Sequence, residues 1–240
     1  MTNPSSQLFR ESPKKVFAVY SHPDDADVAC GGTLARWILE GCEVHLLLLT
    51  DGGKGTSDPS VPSVELVARR RLEVATAAEA IGITEIERLD LADGDVAEFT
   101  DLRELLVRRI RSLKPDVVLS HDPTAVFFGS VYVNHQDHRA AGWAVLDAVA
   151  PASALPHYFP EAGDPYRVPS VLLSGTLEPD AYVDITSTID AKTAAVAAHL
   201  SQLHGDLDWV NESILQQAAD DGRKVGVAYA EGFRLLNLNG

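Results

Sequence analysis

Residues 15–39, KVFAVYSHPDDADVACGGTLARWIL, decide the fold of this chain. The first six of them are apolar and rich in β-forming side chains, which predicts a short buried strand. Residues 33–39 belong to a predicted helix that Gly41 ends. A strand followed directly by a helix is the unit from which parallel sheets are built.

The same alternation continues along the chain. Ser63 is the expected cap of a long helix that ends at Gly82. Strands alternating with helices at this spacing predict an α/β fold, with a Rossmann-like, mostly parallel sheet and helices on both faces. The further strands are predicted at 43–50, 86–91 and 116–120, and the further helices at 64–80, 102–113 and 138–149.

The composition changes at residue 151, where a proline-rich stretch begins. Beyond it we predict strands at 171–173 and 182–185, a helix at 189–203 capped by Ser187, and a helix at 207–219. The predicted organisation is a flexible tail, residues 1–13, and one domain, residues 14–240. That domain divides into a Rossmann-like core, residues 14–150, and a C-terminal extension, residues 151–240.

The charge excludes some classes of partner. The chain has 35 acidic and 20 basic residues, a net charge of −15, which argues against binding to nucleic acid or to an anionic membrane. No apolar run approaches the roughly 20 residues of a spanning helix, and the N-terminus lacks the apolar region of a signal peptide. We therefore expect a cytoplasmic protein, with Cys30 and Cys42 as free thiols.

Two polar clusters follow predicted strands. Ser21-His22-Pro23-Asp24-Asp25 comes after the first strand, and Asn134-His135-Gln136-Asp137-His138-Arg139 comes after the fourth. Ligands of open parallel sheets bind beyond the carboxyl ends of the strands, where both clusters fall. His, Asp and His are ligands that zinc accepts, and three of them leave a position for water.

Each cluster also has an ordinary structural explanation. Pro and Asp are turn residues, and polar residues are common where helices begin. Coincidence is a weaker explanation for two such clusters at one edge of one sheet. A carboxylate beside a metal-bound water serves as a base in metal-assisted hydrolysis, and Asp24 is placed for that role. His135 could stabilise the oxyanion or protonate the leaving amine.

The motifs SHPDDADVACGGTLARW and NHQDHRAAG resemble those of the LmbE-like, or PIG-L, family of zinc-dependent N-deacetylases. The resemblance spans most of the chain and implies a Rossmann-like α/β domain that removes the N-acyl group of an acetamido sugar. It also implies roles for single residues. These are His22, Asp25 and His138 as metal ligands, Asp24 as general base, His135 as catalytic assistant, and Arg70 and Asp93 as substrate-binding residues.

Three positions depart from the family pattern. Gln136 replaces the usual proline, and Ala26 stands where some relatives have glutamate. Tyr132 lies one residue further from the second motif than the tyrosine of some sugar deacetylases, which leaves its role at the oxyanion open.

The loop 52–62 lacks the spacing of a phosphate-binding loop and is expected to lie beside the substrate. His121 could line the pocket, and Cys30 is a less favoured metal ligand.

Several alternatives stay open at this point. The substrate could be an amide in a thiol-sugar conjugate rather than an N-acetylglucosamine-type glycoside. The chain could instead be a nucleotide-binding module or a non-catalytic metal-binding protein, although no GxGxxG fingerprint is present. Ferrous iron accepts the same ligands as zinc. Assembly into a homo-oligomer is also open.

Overall fold

The computed structural model describes residues 7–203 and 210–239, within which ten strands and seven α-helices are found. The strands are β1 (Gln7–Leu8), β2 (Lys15–Tyr20), β3 (Glu43–Thr50), β4 (Glu85–Leu91), β5 (Val117–His121), β6 (Phe127–Phe128), β7 (Tyr132–Val133), β8 (Ser170–Ser174), β9 (Ala181–Asp184) and β10 (Ala230–Asn237). The helices are α1 (Asp25–Leu39), α2 (Ser63–Ile81), α3 (Leu102–Leu113), α4 (Gln136–Val149), α5 (Ile189–Ala198), α6 (Leu200–Leu203) and α7 (Leu215–Val225).

Eight of the strands form one sheet in the order β1-β9-β10-β8-β5-β2-β3-β4. All neighbouring pairs are parallel except the two that involve β10, which runs antiparallel to β8 and to β9. Strands β6 and β7 form a separate hairpin. The predicted α/β class with a mostly parallel sheet is therefore confirmed.

The sheet is covered on both faces because its central strands are apolar on both sides. In β2, Val16, Ala18 and Tyr20 pack with α1 and α2 on one face, while Phe17 and Val19 pack with α3 and α4 on the other. Alternate residues of a strand point to opposite faces, so a continuously apolar strand needs a helical layer on each side.

The predicted helix starts need correction. Ser63 and Ser187 are not caps: the N-cap residues of α2 and α5 are Pro62 and Thr188, and neither makes a side-chain capping bond. The helix expected over 189–203 is divided at His199 into α5 and α6. The helix expected over 207–219 falls partly outside the described residues, and the described α7 begins at Leu215.

The N-terminal segment differs from the expected flexible tail. Residues 1–6 lie outside the described part of the chain, but β1 pairs with β9, and Phe9 is buried. The centroid of the Phe9 ring lies 6.1 Å from that of the Trp37 ring. Backbone pairing and an apolar contact therefore hold residues 7–9 against the sheet. The division at residue 150 stays a prediction, although β8, β9 and β10 continue the same sheet.

None of the helices in the described residues has the length and apolar character that a membrane crossing requires.

Candidate metal centre

Three side chains from distant parts of the chain meet at the carboxyl edge of the sheet. His22 Nδ1 lies 3.1 Å from Asp25 Oδ2 and 3.1 Å from His138 Nε2. Asp25 Oδ1 lies 3.1 Å from His138 Nε2. The lone-pair-bearing atoms of all three predicted metal ligands thus face one point. We refer to these residues as the ligand triad.

The fold brings the ligand triad together through two adjacent strands. His22 follows β2 directly and Asp25 opens α1, so a tight turn places both. His138 lies in the first turn of α4, which the chain enters from the loop after β5. Because β2 and β5 are parallel neighbours, their carboxyl ends lie side by side.

The nitrogen of each histidine that faces away from the triad lies close to a polar side chain. His138 Nδ1 lies 3.0 Å from Asn134 Oδ1, and the Asn134 amide donates to the Ala125 carbonyl, which fixes its orientation. His22 Nε2 lies 3.3 Å from Asp93 Oδ1 and 3.4 Å from Asp137 Oδ2. The Asn134 acceptor holds the proton of the neutral His138 ring on Nδ1 and leaves Nε2 free to bind a metal ion. The two carboxylates lie within ion-pair distance of His22 Nε2 but outside hydrogen-bond geometry.

The site is electrostatically suited to a cation. Burial alone would lower the pKa of His22, but Asp25, Asp137 and Asp93 outweigh it and raise that pKa to about 12. Burial likewise opposes the charge of Asp25, yet the histidines hold its pKa well below the usual value. The cluster therefore stabilises positive charge, as a proton or as a metal ion. His2Asp with converging lone pairs fits zinc or ferrous iron.

His121, at the end of β5, completes the inner cluster. Its ring stacks on His138 with centroids 4.1 Å apart, and its Nε2 lies 3.3 Å from Asp25 Oδ2. The same nitrogen accepts a hydrogen bond from the Ser21 amide, and burial lowers the His121 pKa to about 4. A neutral imidazole thus packs against two members of the ligand triad.

Asp24 and Arg70 form an ion pair beside the ligand triad. The Arg70 guanidinium, 2% exposed, donates to Asp24 Oδ1 and, at 3.1 Å, to the Gly52 carbonyl. Gly52 has φ +65°, and a Cβ atom there would lie 2.5 Å from Arg70 Nη1, so a larger residue would be strained and would displace the guanidinium. Arg70 therefore fixes the predicted base, and its contact with substrate stays a prediction.

His135 is the N-cap residue of α4. Its Nδ1 accepts a hydrogen bond from the Asp137 amide at 3.1 Å, which places the proton of the neutral ring on Nε2. Burial lowers the His135 pKa, so the neutral form prevails at pH 7. Its ring lies 4.6 Å from that of His22. A neutral Nε2–H is a suitable donor to an oxyanion.

Asp93 and Asp137 have positions that the sequence did not predict. Asp93 accepts a hydrogen bond from the Lys54 amide and faces His22, which lowers its pKa to about 2 against the opposing effect of burial. Its predicted contact with a sugar hydroxyl stays a prediction. Asp137 is fully buried and accepts from the amides of Gly94 and Val96. Its place between the two histidines of the second motif was the available signal.

A cavity of about 560 Å³ opens at the ligand triad. Asp25, His121 and His138 line it at one end, and α7 lines it at the other. Phe128 and Tyr132 of the β6–β7 hairpin contribute flat aromatic surface, with ring centroids 5.8 Å apart. Its volume is in the range of small-molecule sites.

Comparison with known proteins agrees with this geometry. The sequence model of the family described as PIG-L, GlcNAc-PI de-N-acetylase, matches residues 17–149. The chain belongs to the PIG-L family.

Individual PIG-L relatives resemble the chain over most of its length. It is 36% identical to a diacetylchitobiose deacetylase of Thermococcus kodakarensis, over 93% of this chain and 83% of the relative. It is 32% identical to a 1D-myo-inositol 2-acetamido-2-deoxy-alpha-D-glucopyranoside deacetylase of Saccharopolyspora erythraea, over 64% of this chain and 62% of the relative. The solved N,N'-diacetylchitobiose deacetylase of Pyrococcus horikoshii superposes with a TM-score of 0.84 at 32% identity, covering 94% and 84% of the two chains.

Proposed function

We propose that this chain is a zinc-dependent N-deacetylase that hydrolyses the acetamide of an N-acetylglucosamine-type glycoside. The observation that carries the proposal is the convergence of the ligand triad, of which Asp25 and His138 line the cavity. Asp24 precedes Asp25 in the chain, and the His135 ring lies 4.6 Å from that of His22. Relatives that are deacetylases of acetamido sugars support the same reaction.

The residues around the site suit amide hydrolysis. A divalent ion held by three protein ligands would supply Lewis-acid activation of water and of the acyl oxygen. The Asp24 carboxylate would accept the proton of the attacking water while Arg70 holds its other oxygen. His135 Nε2–H would donate to the developing oxyanion. Asp24 would then return the proton to the amine as the C–N bond breaks.

The charges of the cavity favour a neutral sugar. Its two lining lysines are each paired with an acid: Lys192 with Glu231 at 2.6 Å and Lys224 with Asp221 at 2.8 Å. A phosphate group is usually bound by unpaired Arg or Lys side chains. We therefore propose a neutral aglycone, such as a second sugar, rather than a phosphate-linked one.

Metal content and amine release test the proposal together. Wild type and H22A are supplied with zinc or ferrous iron, and bound metal is measured by mass spectrometry. Release of free amine is followed with N,N'-diacetylchitobiose and with an N-acetylglucosaminyl-inositol. H45A is the matched control, because His45 lies within β3 and pairs with Glu43. About one zinc per chain and amine release are expected in wild type and H45A, and both are expected to be lost in H22A.

Other outcomes identify the alternatives. Metal uptake without amine release from either glycoside, but with cleavage of a thiol-sugar conjugate amide, would replace deacetylation by amidase activity. Metal uptake with no hydrolysis of any of them would indicate a non-catalytic protein. A folded wild type that binds neither metal would refute the metal-dependent mechanism.

A further inference from the structure

Helix α1, which carries the ligand Asp25, is broken in its middle. Cys30 has φ −148° and ψ 19°, which are not helical angles. The break leaves a front segment, residues 25–29, and a rear segment, residues 31–39. The rear segment is fixed in the core by buried side chains such as Leu34 and Trp37. The front segment begins at the metal site.

A buried ion pair from the C-terminal half of the sequence fills this break. Glu231 of β10 accepts hydrogen bonds from the amides of Gly32 at 3.1 Å and Thr33 at 2.7 Å. Lys192 of α5 donates to the Val28 carbonyl at 2.6 Å. Lys192 Nζ also lies 2.6 Å from Glu231 Oε1, and the side chains of this pair are 4% and 5% exposed.

The pair takes over bonds that a continuous helix would make within itself. In an α-helix the Gly32 amide would donate to the Val28 carbonyl, four residues earlier. Here Glu231 accepts from that donor, and Lys192 donates to that acceptor. Buried backbone groups without partners are costly. The ion pair therefore stabilises the broken form of α1 over a continuous one.

The break sets the direction of the front segment, and with it the position of Asp25. A second contact holds the same segment: His199 Nε2 lies 2.7 Å from Asp27 Oδ2, and both side chains are buried. We propose that Lys192 and Glu231 are positioning residues for the metal centre, which hold the front segment where Asp25 meets His22 and His138. This inference rests on the proposed metal site.

The test compares zinc affinity with stability in K192M, E231D and the double variant K192M/E231M. E231D keeps the buried charge but withdraws the carboxylate from α1 by one methylene. The double variant removes both charges and so leaves neither one buried alone. R111M is the control, because Arg111 is also a buried cation, but its hydrogen bonds within the described residues all go to carbonyls of residues 152–163. Zinc affinity is measured by chelator competition, geometry by the Co²⁺ absorption spectrum, and stability by thermal unfolding.

We expect each folded variant of the pair to bind zinc at least about tenfold more weakly and to show an altered Co²⁺ spectrum. R111M should lose thermal stability with zinc affinity unchanged. E231D is the mildest change. If the methionine variants do not fold, its zinc affinity and Co²⁺ spectrum alone test the proposal. Wild-type zinc affinity and Co²⁺ spectrum in E231D, or in either folded methionine variant, would overturn this inference alone. A wild type that binds no metal would overturn the proposed function as well.

Discussion

The metal centre and the surroundings of Arg111 are two buried polar clusters that differ in how completely their charges are satisfied. Arg111 of α3 is 3% exposed, and its five N–H groups are shared among six backbone carbonyls, all at 3.1 Å or less. At the metal centre, by contrast, two imidazole nitrogens face each other at 3.1 Å with a carboxylate beside them.

The contrast teaches how to tell a structural charge from a functional one. The six carbonyl acceptors around Arg111 come from Ala152, Ser153, Leu155, Tyr158, Phe159 and Gly163, so the cation holds an irregular loop in place. The ligand triad instead directs its lone pairs at one point that borders a cavity. Burial of charge is common to both, but at the ligand triad several potential metal-ligand atoms converge, as our proposal of a metal site requires.

Removing the base should have the largest effect. D24N is expected to lower kcat by about 10²- to 10⁴-fold, because amide nitrogen cannot accept the proton of water. Zinc content should be unchanged, since the ligand triad is intact. D190N, in the first turn of α5, is the control and should keep wild-type kcat. The role of Asp24 would have to be abandoned if D24N retained more than a tenth of wild-type kcat.

Replacing Arg111 should lower the stability of the protein and leave kcat unchanged. R111M keeps an apolar stem but removes the donors to six carbonyls, so the free energy of unfolding should fall by about 3 kcal/mol. The kcat per folded molecule should not change. R108M is the control on the same helix, where an exposed pair with Glu104 and one exposed bond to the Glu161 carbonyl should together contribute about 1 kcal/mol. Equal losses in the two variants, measured by urea denaturation, would show that the carbonyl cluster is not special.

Asp137 tests whether outer carboxylates tune the metal centre. D137N should weaken zinc binding by about 10- to 100-fold, because the Asn side chain no longer supplies a charged acceptor near His22 Nε2. D147N, exposed on the same helix, is the control. The measurement is zinc affinity by chelator competition. Unchanged affinity in D137N would restrict Asp137 to its bonds with the Gly94 and Val96 amides.

Replacing Cys30 should have the smallest effect on zinc affinity. Its Sγ lies 3.2 Å from the Tyr20 hydroxyl, and burial raises its pKa, so the thiol stays protonated at neutral pH and offers no thiolate to zinc. C30A should bind zinc within twofold of wild type by the same chelator assay. Loss of zinc from a folded C30A would instead add Cys30 to the ligands.

The sequence was informative wherever the signal was local. Strand β3 and helix α3 have the predicted bounds, because a continuous apolar run and a 3.6-residue apolar period are visible within a short window. The three residues of the ligand triad, which the structure brings together, could be singled out because they lie in two short motifs, and their role as metal ligands stays a prediction. Ser63 and Ser187 were misassigned because a hydroxyl at a helix start is only a preference, and the neighbouring backbone decides which residue is the cap.

What could not be predicted depends on contacts between distant residues. Glu231 lies 199 residues after Gly32, and Lys192 lies 164 residues after Val28. The sequence around Glu231 and around Lys192 does not distinguish them from the glutamates and lysines that lie on the surface. The antiparallel insertion of β10 between β8 and β9 is also set by tertiary packing rather than by its own pattern.

The late position of β10 in the sequence determines when the site can be completed during translation. Strand β10 joins β9 and β1 to the rest of the sheet, and it also carries Glu231 to the break in α1. The two histidines and the one aspartate that would bind zinc have all been translated once residue 138 is reached, about 90 residues before this strand. A nascent chain that stalls before residue 230 would thus hold every metal ligand and still lack the support that we propose for Asp25. Translation of the final strand, rather than of the motif residues, would complete the site.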